Sequence, residues 1–270
     1  MIVFVIVLAL LCALVVFAVA PGRADDAKKA PFEGRNFAHR GLFEKDQSVP
    51  ENSLAAFRRA VENGYGIELD VHLTADDALC VFHDDDLKRM CGVPGRPEEK
   101  PYAELAALHL AGTEETIPLL SDVLAVMDGR APIILEIKRG DRNDRLCGLV
   151  HDTLRDYRGD VCIESFDPFI VRWWRKNAPE YLRGQLGAPY AVMKDGTGKL
   201  NAFLLSRLLT NCLARPEFIA YGLNGKKHLT ARLSEALGGM RVAWTSHDEK
   251  AESTNDAVIF EHYRPRVRYG

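Results

Sequence analysis

Short apolar runs and amphipathic stretches take turns along this chain from about residue 36 to its end. Apolar residues at every second position predict strands, and apolar residues recurring at three and four predict helices. By that test NFAHRG (36–41), GIELDVHLT (66–74), LCVFHDD (79–85), APIILEIK (131–138) and VCIESF (161–166) read as strands. LRGQLG (182–187), EFIAYG (217–222), RVAWTS (241–246) and DAVIFE (256–261) continue the series. PENSLAAFRRAVENG (50–64) predicts a helix capped by Asn52 or Ser53, with Leu54, Phe57 and Val61 as its inner stripe and Gly64 at its end. SDVLAVMDG (121–129), with Ser121 as its cap, predicts another helix, as do FIVRWWRKNA (169–178), NAFLLSRLLTNCL (201–213) and stretches near 143–157 and 228–238. Residues 84–113 form a polar excursion that holds YAELAALHL.

Roughly eight buried strands, each followed by a helix, fit into the 235 residues from 36 to 270. A parallel (β/α)8 barrel takes about 250 residues, whereas an open doubly wound sheet uses fewer strands. The expected fold is therefore α/β, a TIM barrel over residues 36–270. No glycine-rich phosphate loop, GxSxG elbow or internal repeat is present.

In GIELDVHLT, Ile67, Leu69 and Val71 alternate with Glu68, Asp70 and His72. A barrel explains why so aliphatic a strand carries carboxylates, because polar groups near the C-terminal ends of its strands sit in the mouth. Glu68 and Asp70 are expected to face the interior near the top, about 6–7 Å apart at Cα. They repel each other without a cation. Glu136 and Lys138 in LEIK repeat the spacing. Three carboxylates make an oxygen-rich site for one divalent cation, Ca2+ or Mg2+. The bland alternative is that Glu–Lys and Asp–Arg pairs close the barrel top. His39 and His83 each end an apolar strand, and two imidazoles beside one cation suit acid–base work near neutral pH. Arg40 and Lys138 suit a phosphate, Arg by a bidentate fork and Lys as a point charge.

Composition narrows the partners. The formal charge is −3, with 47% hydrophobic residues and no basic block in the body of the chain, which disfavours nucleic acid. The six cysteines form no CxxC pair, so they read as reduced, packed thiols rather than a zinc site or a disulfide framework. Residues 2–20 are nineteen residues without a charge, enough to span a bilayer. A cleaved signal peptide needs a basic start, absent here, and Pro21 follows the AVA that resembles a cleavage site. Residues 1–20 are thus expected to be an uncleaved anchor, with a signal segment as the alternative, and 21–35 a polar linker. Arg23, Lys28, Lys29 and Arg35 follow the apolar run, so the positive-inside rule places the barrel in the cytoplasm, with an extracellular or secreted domain as the alternative.

The ordered motifs AHRG, PENSLAAFRRAVENGYGIELDVHLT, VFHDDDLKRMCG, IPLLSDVL, ILEIK, ESF and VAWT resemble the glycerophosphodiester phosphodiesterase family, from about Asn36 to Trp244. The resemblance implies a TIM barrel that hydrolyses glycerophosphodiesters to an alcohol and glycerol 3-phosphate with a divalent cation. It implies His39 and His83 as the catalytic pair and Glu68, Asp70 and Glu136 as metal ligands. Arg40 and Lys138 would then contact the phosphate, and Trp244 would lie over the glycerol.

Glu51 and Asn52 are expected to organise Arg40 and the first helix, with capping favoured for them. Ser165 and Phe166 are expected to line the mouth, and His72 to lie one step beyond the carboxylates. The last strand departs from the family pattern: it reads VIFEHY where many relatives carry Thr–Asp, so Glu261 stands in the place of that Asp. Two other readings compete. One is a lysophospholipase D-like membrane enzyme; the other is an anchored phosphodiester-binding module without turnover, which would need no second imidazole.

Overall fold

The computed structural model describes residues 1–269. Nine strands are found among them: β1 (Arg35–Ala38), β2 (Gly66–Leu73), β3 (Leu79–Val81), β4 (Ile133–Ile137), β5 (Val161–Ser165), β6 (Leu182–Gly187), β7 (Phe218–Gly222), β8 (Met240–Ser246) and β9 (Ala257–Phe260). Eight of them pair in parallel in the order β1-β2-β4-β5-β6-β7-β8-β9, and β9 returns to β1, so the sheet closes into the expected TIM barrel. The ninth, β3, is antiparallel to β2 and lies outside the ring. LCVFHDD is therefore the return arm of a hairpin and not a barrel strand.

Twelve α-helices accompany the strands among the described residues. They are α1 (Ile2–Val19), α2 (Asp26–Lys29), α3 (Leu54–Glu62), α4 (Lys88–Cys91), α5 (Tyr102–Leu105), α6 (Leu120–Met127), α7 (Asn143–Leu154), α8 (Pro168–Asn177), α9 (Tyr190–Thr197), α10 (Lys199–Ser206), α11 (Asn211–Ala214) and α12 (Leu229–Ala236). Ser53 caps α3 by accepting from Ala56 N, which frees the neighbouring Asn52 for another task. Ser121 caps nothing: α6 starts at Leu120, and its cap residue Leu119 makes no side-chain bond. The apolar stretch 201–213 breaks at Leu208, whose φ of +54° ends one helix before α11 begins.

Alternation along each strand divides the core in two. Ile67, Leu69 and Val71 of β2 pack outward with Phe57, Val123, Leu135 and Ile163 beneath the helices. Phe37, Ile134, Cys162, Phe218 and Met240 form a second apolar cluster. Gly66 belongs to its packing, because a Cβ there would lie 2.5 Å from the ring of Phe37. Two residues further along the same faces of β4 and β5, Ile134 gives way to Glu136 and Cys162 to Glu164. The interior thus changes from apolar to acidic within one layer.

Residues 21–35 cross the N-terminal end of the barrel instead of hanging free. Lys28 Nζ donates to both oxygens of Glu217 at 2.9 Å, Gly34 N donates to Asp256 O at 2.7 Å, and Phe32 stacks on Phe37 with centroids 6.2 Å apart. Ahead of this plug, α1 is long and apolar enough to cross a bilayer, with residues 1–17 exposed and Val19 buried. All six cysteines are free thiols, and burial pushes Cys80 and Cys147 up to about 12.

Candidate active site

Glu68 and Asp70 on β2 and Glu136 on β4 each offer one oxygen, and the three oxygens lie within 4.8 Å of one another. Parallel register causes this, for Asp70 stands directly opposite Glu136. All three side chains are buried, and so is Glu164 on β5, opposite Glu136 in turn. Burial, and then the charges of Asp70, Glu136 and Glu164, push the Glu68 carboxyl well above the usual range. Burial raises Glu164 likewise, and its Oε2 has no hydrogen-bond partner. Asp70 goes the other way: against burial, Lys138, His83, Arg40 and a 2.9 Å hydrogen bond from Asn52 hold it far below.

Lys138 Nζ lies 3.0 Å from Glu136 and 3.3 Å from Asp70, and these neighbours raise its pKa against burial. Lys138 and the Arg40 guanidinium, 3.9 Å from Asp70, do not balance four buried carboxyls. An all-oxygen donor set beside an orphaned carboxylate oxygen fits a hard divalent cation.

His39 follows β1 directly and Glu261 follows β9, its neighbour in the barrel. His39 Nδ1 is 2.5 Å from Glu261 Oε1, and its Nε2 is 3.7 Å from Glu68 Oε2. A carboxylate only accepts, so Nδ1 carries the hydrogen and Nε2 turns its lone pair toward the cluster. Burial and the adjacent Arg40 charge lower the His39 pKa, with Glu261 opposing. Although burial works against it, the hydrogen bond and charge of His39, with Arg40 and His262, bring Glu261 down to about 2.

His83 arrives by the hairpin. Phe82 N donates to Asp70 O at 3.0 Å, which lays the residues after β3 alongside the upper part of β2. His83 Nδ1 donates to Asp84 at 2.7 Å. Asp84 is gripped by Arg89 at 2.6 and 2.9 Å, Arg89 also holds Glu51 at 2.6 and 2.9 Å, and Glu51 accepts from Arg40 at 2.7 Å. A continuous line of charges thus joins His83 to Arg40. Arg40 adopts φ +53°, donates its backbone N to Glu68 at 3.0 Å, and keeps a buried Nε without a hydrogen bond, 3.9 Å from Asp70.

Trp244 on β8 is half-buried, donates Nε1 to Ala220 O at 3.0 Å, and meets Phe166 edge-on at 5.7 Å. The structure thus brings His39, His83, Arg40, Lys138, Glu68, Asp70 and Glu136 together, with Trp244 in the wall beside Phe166. Ser165 does not line the mouth; its Oγ donates to Ile137 O. His72 turns aside, with Nδ1 3.7 Å from Glu98. Pattern reading missed Glu164, the Asp84–Arg89 pair and the bond from Asn52 to Asp70. Only Glu164 left a signal, as a carboxylate at the same interior step as Glu136.

A TIM-barrel enzyme with a candidate cation site is the class that this mouth defines. The profile of the Glycerophosphoryl diester phosphodiesterase family, a hydrolase family, matches residues 39–257, and the chain belongs to that family. It is 33% identical over 163 residues to a glycerophosphodiester phosphodiesterase of Caldanaerobacter subterraneus, covering 55% of this chain and 65% of the relative. A glycerophosphodiester phosphodiesterase of Bacillus altitudinis is 39% identical over 109 residues, 38% of this chain and 43% of that one. A lysophospholipase D of Rattus norvegicus is 32% identical over 151 residues, 51% and 46% of the two chains. The aligned regions thus span less than two thirds of each of these relatives. Among solved structures, an Oleispira antarctica phosphodiesterase in complex with the product sn-glycerol-3-phosphate shares the fold, with a TM-score of 0.67 and 23% identity over 84% of this chain and 93% of that one.

Proposed function

We propose that the barrel hydrolyses glycerophosphodiesters to an alcohol and glycerol 3-phosphate, with one Ca2+ or Mg2+ held by Glu68, Asp70 and Glu136. The observation that carries this reading is the convergence of those three carboxylate oxygens within 4.8 Å at the barrel mouth. When bound, the cation supplies Lewis-acid charge for the phosphodiester. His39, neutral and with Nε2 toward the cluster, takes the proton of the attacking group, either water or the glycerol 2-hydroxyl by way of a cyclic phosphate that water then opens, and His83 protonates the departing alcohol oxygen. Arg40, whose Nε makes no hydrogen bond within the chain, and Lys138 bind the phosphate oxygens. Trp244 and Phe166 form the apolar wall for the glycerol. In this reading α1 anchors the enzyme and the barrel lies on the cytoplasmic side.

A lysophospholipid substrate is the second reading. Ala188, Met193, Ala202 and Leu205 pack against Phe166 and Trp244, and beyond them α9 and α10 expose Tyr190, Val192, Leu200 and Phe203. That apolar shelf suits an acyl chain, in keeping with the lysophospholipase D relative. An assay of the purified chain on glycerophosphocholine and lysophosphatidylcholine, with product analysis, tests both. Glycerol 3-phosphate from the first supports the main reading. Lysophosphatidate alone, from the second, supports the other, and choline-phosphate release from either refutes both.

A further inference from the structure

α8 and α11 leave an open groove of about 400 Å³, lined by Arg172, Arg175, Lys176, Cys212 and Leu213. The three cations stand at i, i+3 and i+4 of α8, so they share one stripe and repel one another. Among the described residues none of the three has an ion-pair or hydrogen-bond partner, and the groove lining contains no acid. A helix face kept at such a like-charge cost fits an anion from outside the chain.

The location identifies the anion's source. The C-terminal turn of α8 precedes β6 and α11 precedes β7, so the groove lies at the N-terminal end of the barrel, opposite the mouth. The same short helix that forms one wall also holds α1. Asn211 donates to Val19 O at 3.1 Å, and Arg215 Nη1 donates to Phe17 O and Ala20 O at 2.8 Å each. The Arg215 guanidinium also lies 4.6 Å from the centroid of the Phe17 ring. The apolar helix therefore leaves the barrel beside the groove, and the exposed Leu213 extends an apolar lip there.

We infer that this groove binds the headgroup of an anionic phospholipid in the bilayer that α1 enters, an inference that rests on the anchor proposed above. Three cations meet the phosphate and Leu213 meets the upper acyl chain. A soluble acidic protein or a nucleic acid would match the charge but not the place, beside an exposed apolar helix. The bound lipid turns the N-terminal end of the barrel to the membrane and the mouth to water.

The test uses the full chain in neutral detergent, titrated with short-chain phosphatidylglycerol, phosphatidylcholine of the same acyl length, and inorganic phosphate, with bound lipid counted by native mass spectrometry. One phosphatidylglycerol per chain is expected at concentrations where phosphatidylcholine and phosphate do not bind. Each basic residue near an anionic lipid surface contributes roughly five-fold in affinity, so the triple variant Arg172→Gln, Arg175→Gln, Lys176→Gln should bind about 10²-fold more weakly. Its diester turnover should match that of the unaltered chain, and Arg172→Lys with Arg175→Lys should retain the lipid. Equal binding of the two lipids, or undiminished binding by the triple variant, would overturn the inference. Phosphate binding as tight as lipid binding would overturn it in favour of a free-anion site. Flotation with vesicles of phosphatidylcholine alone tests the anchor separately. Failure to float would refute α1 as an anchor while the titration still decides the groove.

Discussion

Glu261 Oε1 lies 2.5 Å from Nδ1 of His39, bridging the ends of two neighbouring barrel strands. Asp84 stands to His83 as Glu261 stands to His39, at 2.7 Å from Nδ1. Each imidazole is therefore tethered through the same nitrogen, which fixes its orientation and commits Nε2 to the site. The two tethers have different origins. One comes from the residue just after the last barrel strand and the other from the residue next to the histidine itself.

Glu261→Gln keeps the shape of the tether and removes its charge. It should lower kcat on the order of 10²-fold with little change in KM, as expected for a group that orients a catalytic histidine. The same carboxyl gives a pH signature in stability. Its folded pKa of about 2 lies below the ordinary 4.5, so its contribution is present above pH 4.5 and is lost as pH falls toward about 2. Thermal melts should show the variant less stable than the unaltered protein at pH 6, with the gap closing steadily below pH 4.5. A constant gap across that range would deny the tether its charge.

His39→Ala and His83→Ala should each fold and lose about 10²–10⁴-fold in kcat, the range for removal of a general acid or base. The double variant should fall far short of the product of the two losses, because the groups serve one proton-transfer sequence. Steady-state kinetics on all three proteins measure this, and near-normal turnover in the double variant would exclude the pair.

Arg89 touches neither the carboxylate cluster nor the mouth wall, yet it bonds both Asp84 and Glu51. Arg89→Ala should loosen His83 and Arg40 together and cost about 10–100-fold in kcat/KM, as supporting partners of a site commonly do. Arg89→Lys should restore only part, since an ammonium cannot bridge two carboxylates with a planar fork. Equal activity of all three forms would show that the line of charges is structural decoration.

With α1 as the proposed anchor, the basic residues that follow it make the side of the membrane testable. Protease added to intact cells should spare the barrel, and membrane permeabilisation should expose it. Digestion without permeabilisation would place the barrel outside.

Much of this architecture was legible because it is local. The period-2 alternation in IELDVHL set Glu68 and Asp70 on the opposite face from Ile67, Leu69 and Val71, and the strand is buried along its whole length. Ser53 and Asn52 were equivalent as caps on paper. The structure separates them because Asp70, eighteen residues on, recruits the Asn52 amide. LCVFHDD has the composition of a barrel strand, and only its antiparallel pairing with β2 keeps it out of the ring. Residues 21–35 read as a linker because their polar composition hides the single aromatic side chain, Phe32, that stacks on Phe37. The register of β4 against β5, which sets Glu164 beside Glu136, depends on how neighbouring strands slide past each other, and no pattern within one strand encodes it.

The proposed chemistry depends on a cation held by Glu68, Asp70 and Glu136. Glycerol 3-phosphate release from glycerophosphocholine by the full chain, measured after chelation and again as Ca2+ or Mg2+ is added back, tests it most directly. Release should vanish on chelation, return with one of the two ions at about one equivalent bound per chain, and stay absent in Asp70→Asn at every ion concentration. Undiminished release after chelation, or full activity in Asp70→Asn, would contradict it.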